Sequence, residues 1–458
     1  MRMLTLTNVS SAASLCRRFA SSSASGGFYD VVIVGGGMVG NAMAASIGAS
    51  DKLKSCRVLL LDAGKQRSLG AAPELYSNRV SAVNPTSVKL FQNLGIWDRL
   101  VQYRVKKVAK LQVLDSCSQS TIDFEQPRPE QEVAFIIENN AIVSALYDNI
   151  LQCSNIDVRT EVNVDSCTLP SSIGDQATIK LKDGSEIATS LVIGADGARS
   201  FVREVMNVDY SQWNYDQKAI VATLKIQSDG LNETAWQRFT PLGPLALLPL
   251  NQELSSLVWT TSPADCERLL SLSPEEFVDE LNNYLWSEAN QSPVTNQALF
   301  LLDKACSLVG CQSTASKVYP MPPTVLKLQS DARAAFPLGF GLAHHYIKPR
   351  VALIGDAAHR IHPLAGQGVN LGWNDVSVLT TVLEKSADHG ADFGSTTYLS
   401  EYDTASQRHN VPVMVTVDWL NRLYNTSLAP MVFLRSLGLY GVNRLTPLKD
   451  LIMYKASG

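Results

Sequence analysis

The chain has 458 residues, a formal net charge of −4, and 45% hydrophobic against 18% charged residues. This hydrophobic share is too high for a disordered chain. The acidic balance disfavours a nucleic-acid binder, which needs clustered Lys and Arg. No run of about 18 apolar residues predicts a membrane-spanning helix, and eight cysteines are too few for a disulfide scaffold. The composition permits a globular enzyme, built as two or three domains or as one large composite domain.

The N-terminal segment differs in composition from the rest of the chain. Residues 1–27 contain three Arg and seven Ser but no Asp or Glu. An Arg-rich, Ser-rich and acid-free segment is typical of a mitochondrial transit peptide, and the alternative is a disordered tail. We therefore expect residues 1–27 to be a transit peptide that directs the chain into the mitochondrion.

The first motif follows directly after this segment. An apolar run at 29–34 predicts a buried parallel strand, and Gly35, Gly37 and Gly40 form the pattern G-x-G-x-x-G at its end. In such a pattern the glycines allow a tight turn, a close approach of pyrophosphate and tight packing of the next helix. Asp62 ends the second predicted strand, where an acid can bind ribose hydroxyls. The acid favours FAD or NAD over NADP.

Two further strands are predicted to end in Gly and Asp. The stretch 190–200 ends a short buried strand in Gly194-Ala195-Asp196-Gly197, and the stretch 350–375 places Gly355-Asp356 after another buried strand. A Pro- and Gly-rich loop then leads into a helix that we expect to begin near Val369. The start of a helix offers free amides, which suit an anion or the electron-rich edge of a reduced flavin.

These three stretches together resemble the FAD-dependent aromatic hydroxylases that share the fold of para-hydroxybenzoate hydroxylase. The run 362–375, His-Pro-Leu-Ala-Gly-Gln-Gly-Val-Asn-Leu-Gly-x-x-Asp, is more specifically similar to the signature of the ubiquinone-biosynthesis hydroxylases, mitochondrial animal-type members above all. The resemblance covers about residues 28–450. Other stretches that agree with this subgroup lie at 77–81, 94–97, 236–249 and 336–338.

The resemblance assigns roles to individual residues around FAD. Gly35, Gly37 and Gly40 would hold the pyrophosphate, and Asp62 the adenosine ribose. Further residues implied to contact the cofactor are Arg79, Asp196, Gly197, Gly355, Asp356, Pro363, Gly366, Gln367, Gly368 and Asn370. For Arg79 the alternative is a surface ion pair.

The same resemblance implies an α/β fold with a Rossmann-like FAD-binding domain, interleaved with a mostly antiparallel β-sheet substrate domain and followed by C-terminal helices. We expect the FAD-binding domain at 28–204 and 339–400, the substrate sheet at 205–338 and a helical region at 401–458. Three FAD stretches spread along the chain indicate one interleaved enzyme and not separate domains.

Three further features of the sequence remain open. Arg238 is a candidate for a substrate carboxylate or phenolate, with a structural ion pair as the alternative. His359 and His362 are spaced like a metal pair, but a loop with no nearby Cys or Glu disfavours a metal. The apolar, Arg-containing stretch from residue 411 on would contact a membrane, a partner protein or the FAD domain itself.

The resemblance implies oxygen insertion into a phenolic ring through a flavin hydroperoxide, with the flavin and not a side chain as the catalytic group. The implied substrates are O₂ and a polyprenylated 4-hydroxybenzoate, and a later 2-methoxy-6-polyprenylphenol is also possible. Ferredoxin with its reductase is the implied electron donor, and NADPH is the alternative. Other quinone-biosynthesis proteins and the matrix face of the inner membrane are the expected partners, without nucleic acid.

Two other functions compete with this interpretation. One is a flavin epoxidase or dehydrogenase that acts on a different apolar substrate. The other is a non-catalytic FAD-binding scaffold of a quinone-synthesis complex. The intact loop at 362–370 disfavours the scaffold, because a scaffold has no need to shape the environment of the flavin ring.

Overall fold

The computed structural model describes residues 27–118, 121–125, 132–170, 174–228, 230–286, 297, 300–301, 304, 321–426 and 428–444. The predicted transit peptide lies outside the described residues except for Gly27, as does the segment 445–458.

The described strands, numbered in chain order, are β1 (Phe28–Val34), β2 (Val58–Leu61), β3 (Val80–Val83), β4 (Lys106–Val108), β5 (Lys110–Asp115), β6 (Thr121–Glu125), β7 (Ala134–Glu138), β8 (Ile156–Arg159), β9 (Val164–Thr168), β10 (Ala177–Leu181), β11 (Glu186–Gly194), β12 (Tyr210–Gln227), β13 (Thr234–Thr240), β14 (Gly243–Pro249), β15 (Leu254–Thr261), β16 (Thr324–Leu328), β17 (Ala334–Ala343), β18 (Ile347–Lys348), β19 (Val351–Leu353) and β20 (His359–Arg360). The described α-helices are α1 (Met38–Ala49), α2 (Pro85–Asn93), α3 (Trp97–Tyr103), α4 (Asn139–Ile150), α5 (Phe201–Met206), α6 (Pro263–Ser271), α7 (Pro274–Trp286), α8 (Gly368–Asp388), α9 (Thr396–Tyr424) and α10 (Ala429–Arg444).

The first sheet carries all three Gly-containing stretches at the ends of its central strands. Its order is β18-β19-β11-β1-β2-β8, and β1 pairs in parallel with both β2 and β11. Strand β11 pairs in parallel with β19. Because these strands are covered on both faces, their residues form near-continuous apolar runs. The parallel direction brings the carboxyl ends of β1, β11 and β19 to one edge of the sheet.

The second sheet is almost entirely antiparallel. Its order is β20-β17-β12-β15-β14-β13-β5-β6, with β16 also paired to β12, and only β13 and β5 run in parallel. Most of its strands come from residues 205–338, where the substrate sheet was predicted. However, β5, β6 and β20 join it from outside that range, so the sheet is assembled from several parts of the chain. A smaller sheet of β3, β7 and β4 completes the strands.

The two faces of the second sheet have different neighbours. Side chains of one face pack with helices α6 and α7 in an apolar core that contains Leu245, Leu247, Trp259, Phe277 and Leu281. Since successive side chains of a strand point to opposite faces, the residues between them lie on the other face of the sheet. That other face is turned towards a large cavity.

The C-terminal helices pack against both sheets. Helix α8 contacts α1 and α9, and α10 contacts α9 and β6. Pro430 belongs to the first turn of α10. A proline is tolerated there because the first amides of a helix have no intrahelical partner.

A buried ion pair fastens α10 to the second sheet. Arg435 of α10 and Asp115 of β5 lie 320 residues apart in sequence, and their side chains are 2% and 0% exposed. The Arg435 guanidinium donates to both carboxylate oxygens of Asp115, at 2.8 and 3.0 Å, and also to the carbonyl of Thr426 at 2.7 Å. Two fully desolvated charges are stable only while both are present.

We expect Asp115→Asn to destabilise the folded chain by about 3–5 kcal/mol, because it leaves the Arg435 charge buried without a counter-charge. The double variant Asp115→Leu with Arg435→Met should lose less folding stability than Asp115→Asn, since it removes both charges and fills the site with apolar side chains. Chemical unfolding of the three proteins measures this difference. A double variant that is less stable than Asp115→Asn would contradict the assignment.

Candidate active site

The Gly-rich turn between β1 and α1 leaves one position open to a ligand. Gly35 has φ +109°, and a Cβ added there would lie 2.4 Å from the carbonyl oxygen of Ala195. A Cβ on Gly40 would lie 1.8 Å from the Gly35 carbonyl oxygen, whereas a Cβ on Gly37 would meet no atom within 4 Å. Gly35 and Gly40 therefore allow the turn to close, and Gly37 leaves space on the cavity side. No side chain caps the start of α1, so its first amides are available to an anion.

Asp62 lies beside this turn, as the spacing predicts. A Cβ on Gly36 would be 2.6 Å from an Asp62 carboxylate oxygen. The carboxylate accepts from the Gly64 amide at 3.1 Å and from the Gln66 side chain, and Gln66 also donates to the Gly36 carbonyl at 2.6 Å. The sequence analysis did not identify Gln66, which has no motif to mark it. Its amide links the acid to the turn.

Residues of the second stretch, 190–200, have two different roles, one at the cavity and one at a helix cap. Gly197 lines the cavity. The Asp196 carboxylate accepts from the Ser200 hydroxyl at 2.5 Å and from the Val202 amide at 3.1 Å, and so it caps helix α5. Asp196 thus has a structural role at this helix and is not among the residues that line the cavity, and its contact with the cofactor stays a prediction.

The third stretch is held by a buried carboxylate on helix α8. Asp375, fully buried, accepts from the Gly355 amide at 2.9 Å, from His359 Nε2 at 2.6 Å and from the Asn410 side chain at 2.9 Å. Burial lowers the pKa of His359, but the charge of Asp375 and its hydrogen bond outweigh burial and hold that pKa above its ordinary value. The predicted site residues did not include Asp375, although it ends the signature run at 362–375.

Asp356 projects from the end of β19 into the cavity. Its side chain is exposed to the cavity, yet protein surrounds it on the other sides. Burial raises the pKa of the Asp356 carboxyl, against the opposing charges of His359 and Arg360. An acceptor at this depth suits a hydroxyl of a bound ligand. Gly355, its neighbour, has φ +59° and packs against Val39 rather than lining the cavity.

The loop 363–368 forms another wall of the cavity. Pro363, Gly366, Gln367 and Gly368 all line it, and Gln367 precedes α8 without a side-chain cap at the helix start. The helix begins at Gly368, one residue before the predicted start. The cavity is thus bounded by two uncapped helix N-termini, those of α1 and α8. Each N-terminus offers the positive end of its helix dipole to electron-rich groups.

Asn370 lies behind this loop instead of lining the cavity. Its amide donates to the carbonyls of Ala82 and Gly366, at 2.8 and 3.1 Å, and its oxygen accepts from the Asn84 amide and the Ser87 hydroxyl, at 3.1 and 2.9 Å. These four bonds use the full capacity of an amide side chain. Asn370 therefore positions the loop 363–368 through its hydrogen bonds, and its direct contact with the cofactor stays a prediction.

The two predicted arginines lie in different places. Arg79 is exposed and lines the cavity, and no acid among the described residues lies within salt-bridge distance of it. Arg238 is 7% exposed and donates to the Leu285 carbonyl of α7, while Gln237 and Phe239 beside it line the cavity. The alternation of β13 places Arg238 on the helix-covered face of the sheet, away from this cavity, and its contact with substrate is not supported by this position.

His362 is buried in the same loop without a polar partner. Both ring nitrogens lack a hydrogen bond, and the ring contacts the Tyr215 ring edge-on at a centroid distance of 5.3 Å. Burial lowers the pKa of His362 to about 4, against a smaller effect of Asp418. His362 and His359 do not approach a common metal position, since His359 binds Asp375 instead. The described residues contain no group of three or more potential metal ligands.

All of these cavity-lining residues border one continuous space of about 1150 Å³. The polar end is formed by the Gly-rich turn, Asp356 and the loop 363–368. The remaining walls are mostly apolar and come from strands β4 to β7, from the open face of the second sheet, and from α9 and α10. Wall residues from the open face include Leu111, Val113, Ala235, Phe239, Ala246 and Leu248.

Comparison with known proteins identifies the family. A family described as "FAD binding domain" matches residues 28–300 and 321–411. The protein of Caenorhabditis elegans named "Ubiquinone biosynthesis monooxygenase COQ6, mitochondrial" is 52% identical over 444 residues, which are 96% of this chain and 97% of the relative. The human protein of the same name is 42% identical over 435 residues, 94% of this chain and 92% of the relative. The chain belongs to this family of FAD-dependent monooxygenases.

The fold agrees with solved structures of flavin enzymes. The p-nitrophenol 4-monooxygenase PnpA from Pseudomonas putida DLL-E4 has a TM-score of 0.68 at 17% identity, over 94% of this chain and 99% of that protein. The predicted fold class, the FAD cofactor and the enzyme class are confirmed. The site fits FAD, because Gly37 and two uncapped helix starts leave a cradle along the cavity. Bound there, FAD supplies the oxygen-activating chemistry that no side chain can provide.

Two glycine variants distinguish a loss of FAD binding from a loss of folding stability. We expect Gly37→Val to fold normally but to bind FAD at least about tenfold more weakly, because its side chain would enter the cavity. Gly40→Ala should instead lose at least about 2 kcal/mol of stability, because its Cβ overlaps a backbone oxygen. Flavin absorbance of the purified proteins and chemical unfolding measure the two effects. Equal loss of stability in both variants would argue against an open position at Gly37.

The pKa of His362 predicts a pH-dependent stability. The pKa of about 4 in the folded state lies below the unfolded value of about 6.5. The unfolded chain therefore binds the proton first, and stability falls as the pH drops from about 6.5 towards 4, by about 1.4 kcal/mol per pH unit at most. We expect His362→Phe to remove this contribution. Unfolding at a series of pH values measures it, with the exposed His345→Phe as control, whose profile should match that of the parent.

Proposed function

We propose that the enzyme hydroxylates the aromatic ring of a polyprenylated phenol of the 4-hydroxybenzoate type, ortho to the phenol. This reaction would be a step of ubiquinone biosynthesis, the process named for its relatives. The observation that carries the proposal is the single cavity, which joins the FAD motifs to a long apolar wall. A polar ring can lie at the flavin end while an apolar chain extends along the sheet.

The open face of the second sheet favours a prenyl chain over a small water-soluble phenol. Its cavity-facing residues are mostly aliphatic or aromatic on seven neighbouring strands, from β17 to β6, with Gln237 as a polar exception on β13. Burying each methylene of a chain against such a wall contributes about 0.8 kcal/mol. A small phenol would leave most of this apolar surface in contact with water. The wall therefore matches a substrate that is largely hydrocarbon.

The reaction inserts one atom of O₂ into a ring C–H bond and releases the other as water, with two electrons and two protons from a donor. The protein residues bind, orient and exclude water. Asp356 would hold a hydroxyl of the cofactor, and the loop held by Asn370 would set the position of its ring. The apolar walls keep bulk water away from the reacting ring. No side chain in the cavity needs to act as a nucleophile.

The proposal extends to where the enzyme works and what it works with. Relatives are named mitochondrial, and a hydrocarbon substrate resides in a bilayer, so we place the enzyme on the matrix side of the inner membrane. None of the helices in the described ranges is long and apolar enough to cross a bilayer. Ferredoxin and its reductase are the proposed electron donors, and other quinone-biosynthesis proteins the proposed partners.

The test is hydroxylation by the purified FAD-loaded chain. A prenylated 4-hydroxybenzoate is supplied with O₂ and either ferredoxin and its reductase or NADPH, and the dihydroxy product is followed by mass spectrometry. We expect Asp356→Ala to bind FAD about 10–100-fold more weakly, the cost of a lost hydrogen bond to a charged group, and to lose product in proportion.

The matched control for this variant is Asp388→Ala. Asp388 lies at the exposed end of α8, where it pairs with Lys52 at 2.6 Å and its side chain is 46% exposed. Its removal should change FAD binding and turnover by less than about twofold, as for an exposed ion pair. In cells that lack the enzyme, restoration of quinone synthesis by Asp356→Ala would contradict catalysis and favour the scaffold. Turnover of an unrelated apolar substrate alone would contradict the proposed phenol.

A further inference from the structure

The last two helices expose large apolar side chains to solvent. On α9, Trp419 is 70% exposed and Val415 is 44% exposed. Between α9 and α10, Leu428 is 68% exposed, and it begins a series at intervals of three residues. The series continues with Met431, Leu434 and Leu437, which are 36%, 57% and 37% exposed. Isolated apolar residues are common on protein surfaces, but six of them on two helices that contact each other and on the link between them indicate an interaction surface. We call these six residues the α9–α10 surface.

The same two helices also form part of the cavity wall. Leu420, Leu423 and Tyr424 of α9 and Leu439 of α10 line the cavity from within. Leu434 belongs to both sets, because it lines the cavity and is 57% exposed. The wall of the cavity therefore continues into the α9–α10 surface at Leu434. An apolar substrate chain that enters at this point would pass directly from the α9–α10 surface into the apolar part of the cavity.

The charge of the segment is suited to an anionic surface. Residues 419–444 contain neither Asp nor Glu, and of their Arg residues Arg435 is buried on Asp115 whereas Arg422 is partly exposed. Arg422 has a side chain that is 58% exposed, while its partner Asp418 lies beneath it with a side chain that is 11% exposed. Among the described residues of this segment, no carboxylate faces outward from the α9–α10 surface. An apolar helical surface without outward carboxylates can enter the headgroup region of a bilayer, and a partly exposed Arg at its edge suits lipid phosphates.

We propose that the α9–α10 surface docks on a phospholipid bilayer and places the mouth of the cavity against the lipid. The apolar side chains enter the boundary between headgroups and acyl chains, and Arg422 lies at the level of the phosphates. The prenyl chain of the substrate then moves from the bilayer into the cavity without crossing water. Transfer of the prenyl chain at this surface rests on the proposed function, whereas binding of the surface to a bilayer does not depend on the substrate.

The experiment measures binding of the FAD-loaded full chain to vesicles by cosedimentation. Vesicles of phosphatidylcholine with phosphatidylglycerol are compared with vesicles of phosphatidylcholine alone. The variant carries Trp419→Gln, Leu428→Gln and Leu437→Gln, three positions that are exposed and do not line the cavity. We expect its partition onto the anionic vesicles to fall at least about tenfold, since each side chain loses apolar area buried in the bilayer.

A matched control replaces two exposed leucines elsewhere on the protein. Leu151 follows α4 and Leu231 precedes β13, and they are 57% and 75% exposed. The variant Leu151→Gln with Leu231→Gln should bind vesicles as the parent does. Parent protein that does not bind vesicles, or an α9–α10 variant that binds as well as the parent, would overturn the proposal. A variant that keeps vesicle binding but loses association with a purified protein partner would also overturn it.

Turnover distinguishes failure of this inference from failure of the proposed function. The α9–α10 variant should hydroxylate a short-chain, water-soluble prenylated phenol at the parental rate. With a long-chain phenol supplied in vesicles, its kcat/KM should fall at least about tenfold, in step with binding. If neither enzyme hydroxylates either phenol, the proposed substrate is wrong, and vesicle binding still decides the surface. If the vesicle-borne phenol reacts equally with both, the docking proposal is wrong and the substrate stands.

Discussion

The buried carboxylate of Asp375 connects the parts of the site that must stay in register. It binds the backbone at Gly355, the imidazole of His359 and the side chain of Asn410. One carboxylate thereby joins the end of β19, the start of the cofactor loop, and helices α8 and α9. Such a network in a water-free interior is strong when all partners are present and costly when one is missing. Both the flavin end of the cavity and its helical wall depend on this arrangement.

The second sheet gives the cavity its other boundary through simple alternation. On β13, Gln237 and Phe239 face the cavity, while Trp236 and Arg238 face the helices. The same alternation holds on β14, where Ala246 and Leu248 line the cavity. Each strand therefore contributes to a packed core on one side and to a binding wall on the other. The substrate wall can change in residue type without disturbing the core beneath it.

The C-terminal helices pack on the protein itself, which is one of the three contacts that the sequence left open. Their inner sides pack on the protein, with Met414, Val417 and Val432 buried, and α10 is held by Arg435 on Asp115. Their packing partners include the second sheet as well as α8. Because the outer sides remain apolar and exposed, packing on the protein and contact with a bilayer are compatible. The ion pair holds the helices in place while their outer side stays available.

Local patterns in the sequence were sufficient to predict the strands, the Gly-rich turn and the place of Asp62, because these depend on neighbours in the chain. The family, the cofactor and the fold class followed from the motifs together. The contacts of Asp196, Arg238 and Asn370 within the protein could not be predicted, since they depend on which way a side chain points and on what it meets there. The pair Asp115–Arg435, 320 residues apart, has no local signature. Hydrogen bonds and burial across distant segments, which exist only in the folded chain, decided these positions.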